Sequence, residues 1–452
     1  MQELQSIMET LSGFVWGPYM LVLIVGTGVF LTFRLLFWQF RMLPLAFKQV
    51  FGKHPNHKDS GDISQFASLM TALSATIGTG NIAGVATACV LGGPGAVFWM
   101  WMTALFGMAT KYGEGVLAVK YRVKNDKGEM SGGPMYYIER GLGAKWKWLA
   151  LLFAFFGTFA SFGIGSSVQS NTVALAVENS LGISTLVTGI VITLFSALVI
   201  LGGIKSIARA SSVIVPIMAI GYVIGGLVII FNNLELVVPA LKIIFTYAFT
   251  GEAAAGGAIG AAIRYGVARG VFSNEAGMGS APIAAAAAQT DHPARQGLVS
   301  MTGTFLDTIV VCSVTGIVLV MGFITAGQSF GSETGAVLTI HVFDQLLPGF
   351  GGWVVTFGII FFAYSTILGW SYYGEKCCTY LFGEKSVLIY RLVYIATVFV
   401  GCVVTLDLVW LFADTFNGLM AAPNLLALLL LSGVIAKESK DFIERRKSGE
   451  LY

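Results

Sequence analysis

Charge is what this sequence has little of. Asp, Glu, Lys and Arg make up 11% of its 452 residues, against about 25% in soluble domains. A polar coat cannot be built from so few charges, so water is not the main solvent of this surface. Cysteine and histidine are scarce too. Cys89, Cys312, Cys377, Cys378 and Cys402 lie in apolar runs or at their ends. None has a metal-ligand partner nearby, so neither a disulfide framework nor a metal site is expected. His54, His57, His292 and His341 lie in polar connections. No nucleophile–base constellation or phosphate loop stands outside the apolar runs, and the connections are too short for a catalytic domain. An enzyme is therefore not expected. The formal net charge of +3 gives no reason to expect a nucleic-acid partner.

Apolar length is what the chain has. Hydrophobic residues make up 56% of it and fall in runs of about 20, the length that crosses hydrocarbon at 1.5 Å per residue. The first run is not followed by a small-residue cleavage site and reads as a span, not a signal peptide. Eleven spans are expected, near 14–36, 63–90, 94–121, 147–175, 184–202, 210–231, 254–289, 297–325, 351–375, 387–406 and 408–434. Several exceed a perpendicular crossing, which implies tilt or a break. Residues 235–250 and 333–347 mix apolar and polar positions and read as short helices lying over the bundle. The fold class is an all-α membrane protein.

Lysine and arginine set the orientation, because they stay on the cytoplasmic side. Of the 27 basic residues, all but Lys242, Arg264 and Arg269 follow alternate spans or stand in the C-terminal tail. In this count Lys111 belongs with the connection after the third span. The asymmetry puts the N-terminus outside and the C-terminus inside.

With the first span set aside, ten remain, and they divide into two fives whose centres pair about 200 residues apart. The first span of each five carries a glycine-rich polar interruption. One reads Ser74-Ala-Thr-Ile-Gly-Thr-Gly-Asn81 and the other Phe272-Ser-Asn-Glu-Ala-Gly-Met-Gly279. Glycine weakens a helix by about 1 kcal/mol relative to alanine, and Asn and Ser compete for backbone hydrogen bonds. Broken backbone at membrane depth is tolerated only where protein buries it or a watery cavity meets it. Five is odd, so the second five starts from the opposite side and the repeat is inverted, a pattern that points to a transporter binding site. Gly78-Thr-Gly-Asn-Ile-Ala83 also matches a dinucleotide fingerprint, but no strand precedes it. Ionisable residues inside spans are costly and usually functional. Arg264, Arg269 and Glu275 flank the second break, and Glu114, Asp307 and Asp414 lie in or near other spans. Glu275 reads best as a structural partner of Arg269.

Residues 92–107, GGPGAVFWMWMTALFG, closely resemble the signature of the alanine/glycine:cation symporter family. The GTGN and RGVFSNEAG segments resemble the same family, and the resemblance runs over essentially the whole chain. It implies a LeuT-type 5+5 inverted repeat with two broken helices and one extra N-terminal helix. It divides the chain into 1–60 (extra helix and interfacial segment), 61–232 (first repeat), 233–434 (second repeat with interfacial helices) and 435–452 (tail).

The implied function is sodium-coupled symport of alanine or glycine by alternating access, in the plasma membrane of a prokaryote. The lipid bilayer is the environment, and no obligate protein partner is expected. A proton-coupled transporter of the same fold is the rival, depending on Glu275 or Asp307; a channel is a weaker one. By the family pattern, Thr79, Gly80 and Asn81 meet the substrate from the first break, and Phe272, Ser273, Gly277 and Met278 from the second. Gln169 is a polar clamp, Thr366 shares a face with Trp370, and Ile367 and Trp370 form a size-restricting wall. The sodium set is Ser74, Ile77, Phe362, Ser365 and Thr366. A zwitterion suits such a place, since free N–H groups attract its carboxylate and carbonyls its ammonium.

Overall fold

Backbone in lipid must satisfy its own polar groups, and the helix does so within one segment. The computed structural model describes residues 2–52, 60–250, 259–404 and 407–451. His54, His57 and the first residues of the expected 254–289 span lie outside the described residues.

The chain opens with α1 (Gln2–Val15), α2 (Pro18–Arg34), α3 (Trp38–Arg41) and α4 (Leu43–Phe51). A short break separates α5 (Gln65–Thr76) from α6 (Ala83–Gly92), and α7 (Ala96–Lys120) follows. A two-stranded antiparallel ribbon, β1 (Val123–Lys124) with β2 (Met130–Ser131), leads to the one-turn α8 (Pro134–Tyr137). Next come α9 (Lys147–Ala160) and α10 (Val168–Leu181), joined by a π-helical stretch, Ser161–Ser167. Then follow α11 (Thr185–Ile200), α12 (Gly203–Asn232) and α13 (Leu234–Phe249). After α14 (Ile259–Asn274) and α15 (Ala281–Ala285), α16 (Pro293–Thr304) runs through a further π stretch, Phe305–Cys312, into α17 (Ser313–Thr325). The chain ends with α18 (Gly335–Leu346), α19 (Gly351–Phe382), α20 (Val387–Val403), α21 (Asp407–Leu430) and α22 (Ser432–Lys447).

Among the described residues, six helical lengths are long and apolar enough to cross a membrane: Gln5–Arg34, Ala144–Leu181, Gly203–Asn232, Pro293–Thr325, Gly351–Phe382 and Glu384–Val403. The pair α21 and α22, bent by 59° at its junction, makes up to seven. This is a multi-pass membrane protein. The remaining expected spans take other forms, for identifiable reasons. Residues 63–90 and 254–289 are interrupted by non-helical backbone. The helix at 184–202, α11, has 16 residues. The helix at 94–121, α7, has 25 but carries Lys111, Glu114 and Lys120. Both segments read as lying over the bundle, 235–250 and 333–347, hold helices, α13 and α18.

The distribution of side chains inverts that of a water-soluble protein. Leu186, Ile190, Leu194 and Leu198 of α11 are exposed along one stripe, as are Val213, Ile217, Ile220 and Ile224 of α12. Such stripes would be a liability in water and are the lipid-facing surface in a membrane. Glu114, Gln169, Glu275, Asp307 and Asn424 are instead buried. Helix α7 packs against α2, α14 and α16, while α19 packs against α5, α9, α10 and α12. Helix α19 meets both interruptions, and α7 meets the second.

Candidate functional site

The first interruption begins where α5 runs out. Ser64 starts that helix as its N-cap, accepting from Ala67 N at 3.1 Å. Ile77 ends it in an extended conformation (φ −75°, ψ 92°). Gly78 is extended too, and Thr79–Asn81 make a single 3-10 turn before α6. Asn81 closes the break on itself, since its Oδ1 accepts from Gly78 N at 2.9 Å. Its Nδ2 donates outward to Asp307, to Oδ1 at 2.7 Å and to the backbone O at 3.2 Å. The glycines here serve close approach. A Cβ on Gly78 would lie 2.6 Å from Thr366 Oγ1, and one on Gly80 would lie 3.3 Å from Phe272 Cδ1 and Ser273 Cα.

The second interruption follows Asn274. Glu275 is left-handed (φ 53°), as are Gly277 (φ 89°) and Gly279 (φ 82°). A non-glycine residue there costs roughly 1–2 kcal/mol, and the surroundings hold it. Trp370 Nε1 donates to Glu275 Oε1 at 3.0 Å, and the Ser280 hydroxyl donates to the other oxygen. Asn274 Oδ1 accepts from Ala276 N at 2.9 Å. Gly279 N donates to Glu114 Oε1 at 3.1 Å, and Asn424 Nδ2 bridges Glu114 Oε1 (2.7 Å) and Gly277 O (2.9 Å). Tyr137 in turn donates to Asn424 Oδ1.

Glu275 does not pair with Arg269. Six residues apart, the two do not share a helix face. The Arg269 guanidinium sits over the Phe272 ring, 5.6 Å from its centroid. With Arg264, Phe272, Ser12, Trp16 and Asp414 it lines a separate cavity of about 160 Å³.

Asp307 joins the two interruptions. Besides Asn81, its carboxylate accepts from Ser273 Oγ at 2.9 Å and Thr308 Oγ1 at 2.7 Å. Asn274 Nδ2 donates to Thr308 Oγ1 at 3.1 Å. Asp307 and Thr308 lie in the π stretch after α16, and such bulges are frequent at functional sites. From sequence, Asp307 stands out as an intramembrane acid, but neither it nor Thr308 nor Asn274 belongs to the expected binding set. The signal was present in the cost of an acid at membrane depth.

Of the expected sodium set, Ser74, Phe362, Ser365 and Thr366 lie together. Ser365 Oγ donates to Phe362 O (2.9 Å) and Ser74 O (3.2 Å), and Thr366 Oγ1 donates to Phe362 O (3.0 Å). Gly369 lets the helices meet, because a Cβ there would lie 2.7 Å from Ser74 Oγ. Ile77 ends α5 next to Gly78. Gln169 follows the π stretch Ser161–Ser167; its Nε2 donates to Ile164 O at 3.0 Å and its Oε1 is buried without a partner. That oxygen lies 3.8 Å from the Cβ position of Gly78. Trp370 is 1% exposed, so it faces the protein and not lipid. Ile367 is fully buried, and its carbonyl accepts from Tyr394 at 2.9 Å. Gly277 faces elsewhere, toward Leu425, Thr110 and Ile24, and Met278 is buried in the turn after it.

A multi-pass helical protein whose interrupted helices meet at a buried polar centre is a membrane transporter by class. The chain belongs to the sodium:alanine symporter family, which it matches over residues 1–451. It is 59% identical over 445 residues to the sodium/alanine symporter AgcS of Methanococcus maripaludis, covering 98% of each chain. It is 40% identical over 456 residues to the probable sodium/glutamine symporter GlnT of Bacillus subtilis, covering 99% of this chain and 93% of that one. It is 40% identical over 455 residues to the putative sodium/proton-dependent alanine carrier protein YrbD of the same organism, covering 97% and 93%.

Proposed function

We infer that this chain is a sodium-coupled symporter that carries alanine, and glycine by the same site, through a prokaryotic inner membrane. The observation that supports it most is the meeting of two interrupted helices around Asn81, Asp307, Ser273 and Thr366. Their unwound backbone supplies the N–H groups and carbonyls that a zwitterion needs, in a place closed to water. Alternating access follows if the interruptions are the first spans of two inverted fives in an eleven-span LeuT-type chain. The repeats are then residues 61–232 and 233–434, after the extra N-terminal helix and before the cytoplasmic tail. The charge asymmetry supports an N-terminus outside and a C-terminus inside.

In this reading Thr79, Gly80, Asn81, Gln169, Phe272, Ser273 and Thr366 surround the substrate, and Ile367 and Trp370 limit its side chain to a methyl group or a hydrogen. Gly277 and Met278 act through the shape of their turn. Sodium takes the carbonyls of Ser74, Ile77 and Phe362 and the hydroxyls of Ser365 and Thr366. An ion shared between α5 and α19 stabilises one arrangement of the two, and substrate binding then costs less. Asp307 and Glu275 are also the groups a proton-coupled cycle would use.

Uptake of labelled alanine into proteoliposomes at fixed pH decides between the two. A sodium gradient is expected to drive accumulation. A proton gradient that does so equally well would overturn the sodium assignment. Asn81→Ala and Thr366→Ala are each expected to abolish saturable uptake while the protein stays monodisperse; normal uptake in both would move the site elsewhere.

A further inference from the structure

One buried basic residue stands apart. The charge count had placed Lys111 in a cytoplasmic connection, but it lies within α7 and is 2% exposed. Its Nζ has no hydrogen-bond partner, and no ion pair involves it among the described residues. Other buried basic residues are paired: Arg295 with Asp291 at 2.6 Å and Lys376 with Glu129 at 3.7 Å.

Lys111 lines a cavity of about 10 Å³ with Ser68, Thr76, Asn274, Gln296 and Ser300. That is room for one water. The cavity lies between the far half of the first interrupted helix, the second interruption and α16. Gln296 Oε1, like Lys111 Nζ, is buried without a partner there.

The charges around it are negative. Glu114 stands three residues on along α7, Glu275 follows the cavity-lining Asn274, and Asn274 reaches Asp307 through Thr308. Among the described residues each carboxylate accepts from neutral donors only: Asn424 and Gly279 N for Glu114, Trp370 and Ser280 for Glu275, and Asn81, Ser273 and Thr308 for Asp307. A lysine kept for packing would serve better as methionine, since an unpaired buried charge is costly. Four rotatable carbons and a point charge suit a group that moves.

We propose that Lys111 is a resident counter-cation of the transport cycle, resting beside Gln296 in the loaded protein and turning toward Asp307 and Glu275 once sodium has left. With sodium bound between α5 and α19, its charge offsets these carboxylates across the site, although none of them holds the ion. With sodium gone, two or three negative charges remain in a closed interior, and the empty protein must still return. A tethered ammonium that moves toward them lowers the barrier of that step alone. Lys111 is thus a positioning residue that acts through the carboxylates, not one that touches substrate. The proposal rests on the sodium-coupled reading above.

Two assays on the full-length protein in proteoliposomes separate the steps. Sodium-driven net uptake of labelled alanine into alanine-free vesicles needs the empty return. Exchange of labelled for unlabelled alanine, with sodium on both sides, does not. Lys111→Met is expected to lower net uptake by about tenfold while exchange per folded protein is kept. Lys111→Arg, which keeps the charge, is expected to recover most of the ratio of net uptake to exchange. If the Met variant fails to fold, the ratio is read on Lys111→Gln. A parallel fall of net uptake and exchange would make Lys111 structural, and an unchanged ratio in the neutral variants would also overturn the proposal. Failure of the sodium reading is a separate result, seen in the unmutated protein as uptake indifferent to sodium.

Discussion

The two interruptions do the same thing to a helix and are held in different ways. The first is closed by a neutral side chain, with Asn81 spanning its own turn to Gly78 N. No residue in it is left-handed, and its glycines make room for neighbours on α14 and α19. The second is held by carboxylates. Glu275 and Glu114, the latter on α7, gather donors from α19, α21 and the turn itself, and three left-handed residues shape the backbone. The first stretch is tied to one buried acid, Asp307, through the same amide, and has few such contacts to break. The second is tied to three helices through two buried acids and has several. The first interruption is therefore the adaptable side of the site and the second its anchor.

The largest expected effect tests the anchor. Glu275→Ala leaves Trp370 Nε1 and the Ser280 hydroxyl without their acceptor, and each buried unsatisfied donor costs about 1–3 kcal/mol. A destabilisation of about 3 kcal/mol follows, read by denaturant or thermal unfolding of purified protein, together with loss of uptake. Asn81→Ala abolishes uptake as well, but is expected to cost less stability, about 1 kcal/mol, because only Gly78 N loses its acceptor while Asp307 keeps Ser273 and Thr308 as donors. If Asn81→Ala proves the more destabilising, the roles of the two interruptions are reversed.

Glycine substitutions sharpen the same contrast at smaller size. Gly78→Ala pushes a methyl group to 2.6 Å from Thr366 Oγ1. The threonine can rotate, so stability changes by less than about 1 kcal/mol, but the hydroxyl assigned to substrate and sodium is displaced and uptake falls about tenfold. Gly277→Ala meets a different penalty. Its φ of 89° is unfavourable for any residue with a Cβ, at roughly 1–2 kcal/mol, so the loss appears in the unfolding midpoint more than in uptake per folded molecule. Equal effects in both assays for both variants would remove the distinction.

How much of this could be read from the sequence depends on which contacts were local. The interruptions were legible because Gly78, Gly80, Gly277 and Gly279 cluster with Asn and Ser inside apolar runs, and glycine there conflicts with helix formation. The hydroxyl pair at Ser365 and Thr366 carries little by itself, since such hydroxyls often bond to the preceding turn, as both do here to Phe362 O; its assignment to sodium rests on the family resemblance. The residues that hold the second interruption were not. Glu114 and Asn424 reach it from α7 and α21, across sequence separations of 165 and 147 residues, and no periodicity reports on such a meeting. Lys111 was misplaced because counting charge by side treats every lysine near a span end as solvated. The buried charge is visible only once α7 is seen to be enclosed by α2, α14 and α16. The extent of continuous helix differed for the same reason, since burial inside the bundle lets α7 carry charges that a lipid-facing span could not.

The smallest effect is expected where charge is held near water. In α22, Asp441 Oδ2 lies 3.0 Å from His292 Nε2, while His292 Nδ1 accepts from Ala294 N at the start of α16. The backbone N–H can only donate, so Nδ1 accepts and Nε2 carries the proton given to Asp441. This bond holds the Asp441 carboxyl below its ordinary value of 3.8. A depressed acid contributes stability above its unfolded pKa, and the contribution is lost as pH falls through the lower folded value. The gap in unfolding midpoint between the unmutated protein and Asp441→Asn is therefore expected to be small and constant from pH 8 to about pH 4, and to close only below that. Asp441 is half exposed, so water screens much of the interaction. A gap that closed between pH 8 and pH 6 would overturn the assignment to Asp441. A gap as large as that of Glu275→Ala would mean that acids near water and acids in the anchor are worth the same, and the contrast between the two interruptions would lose its physical basis.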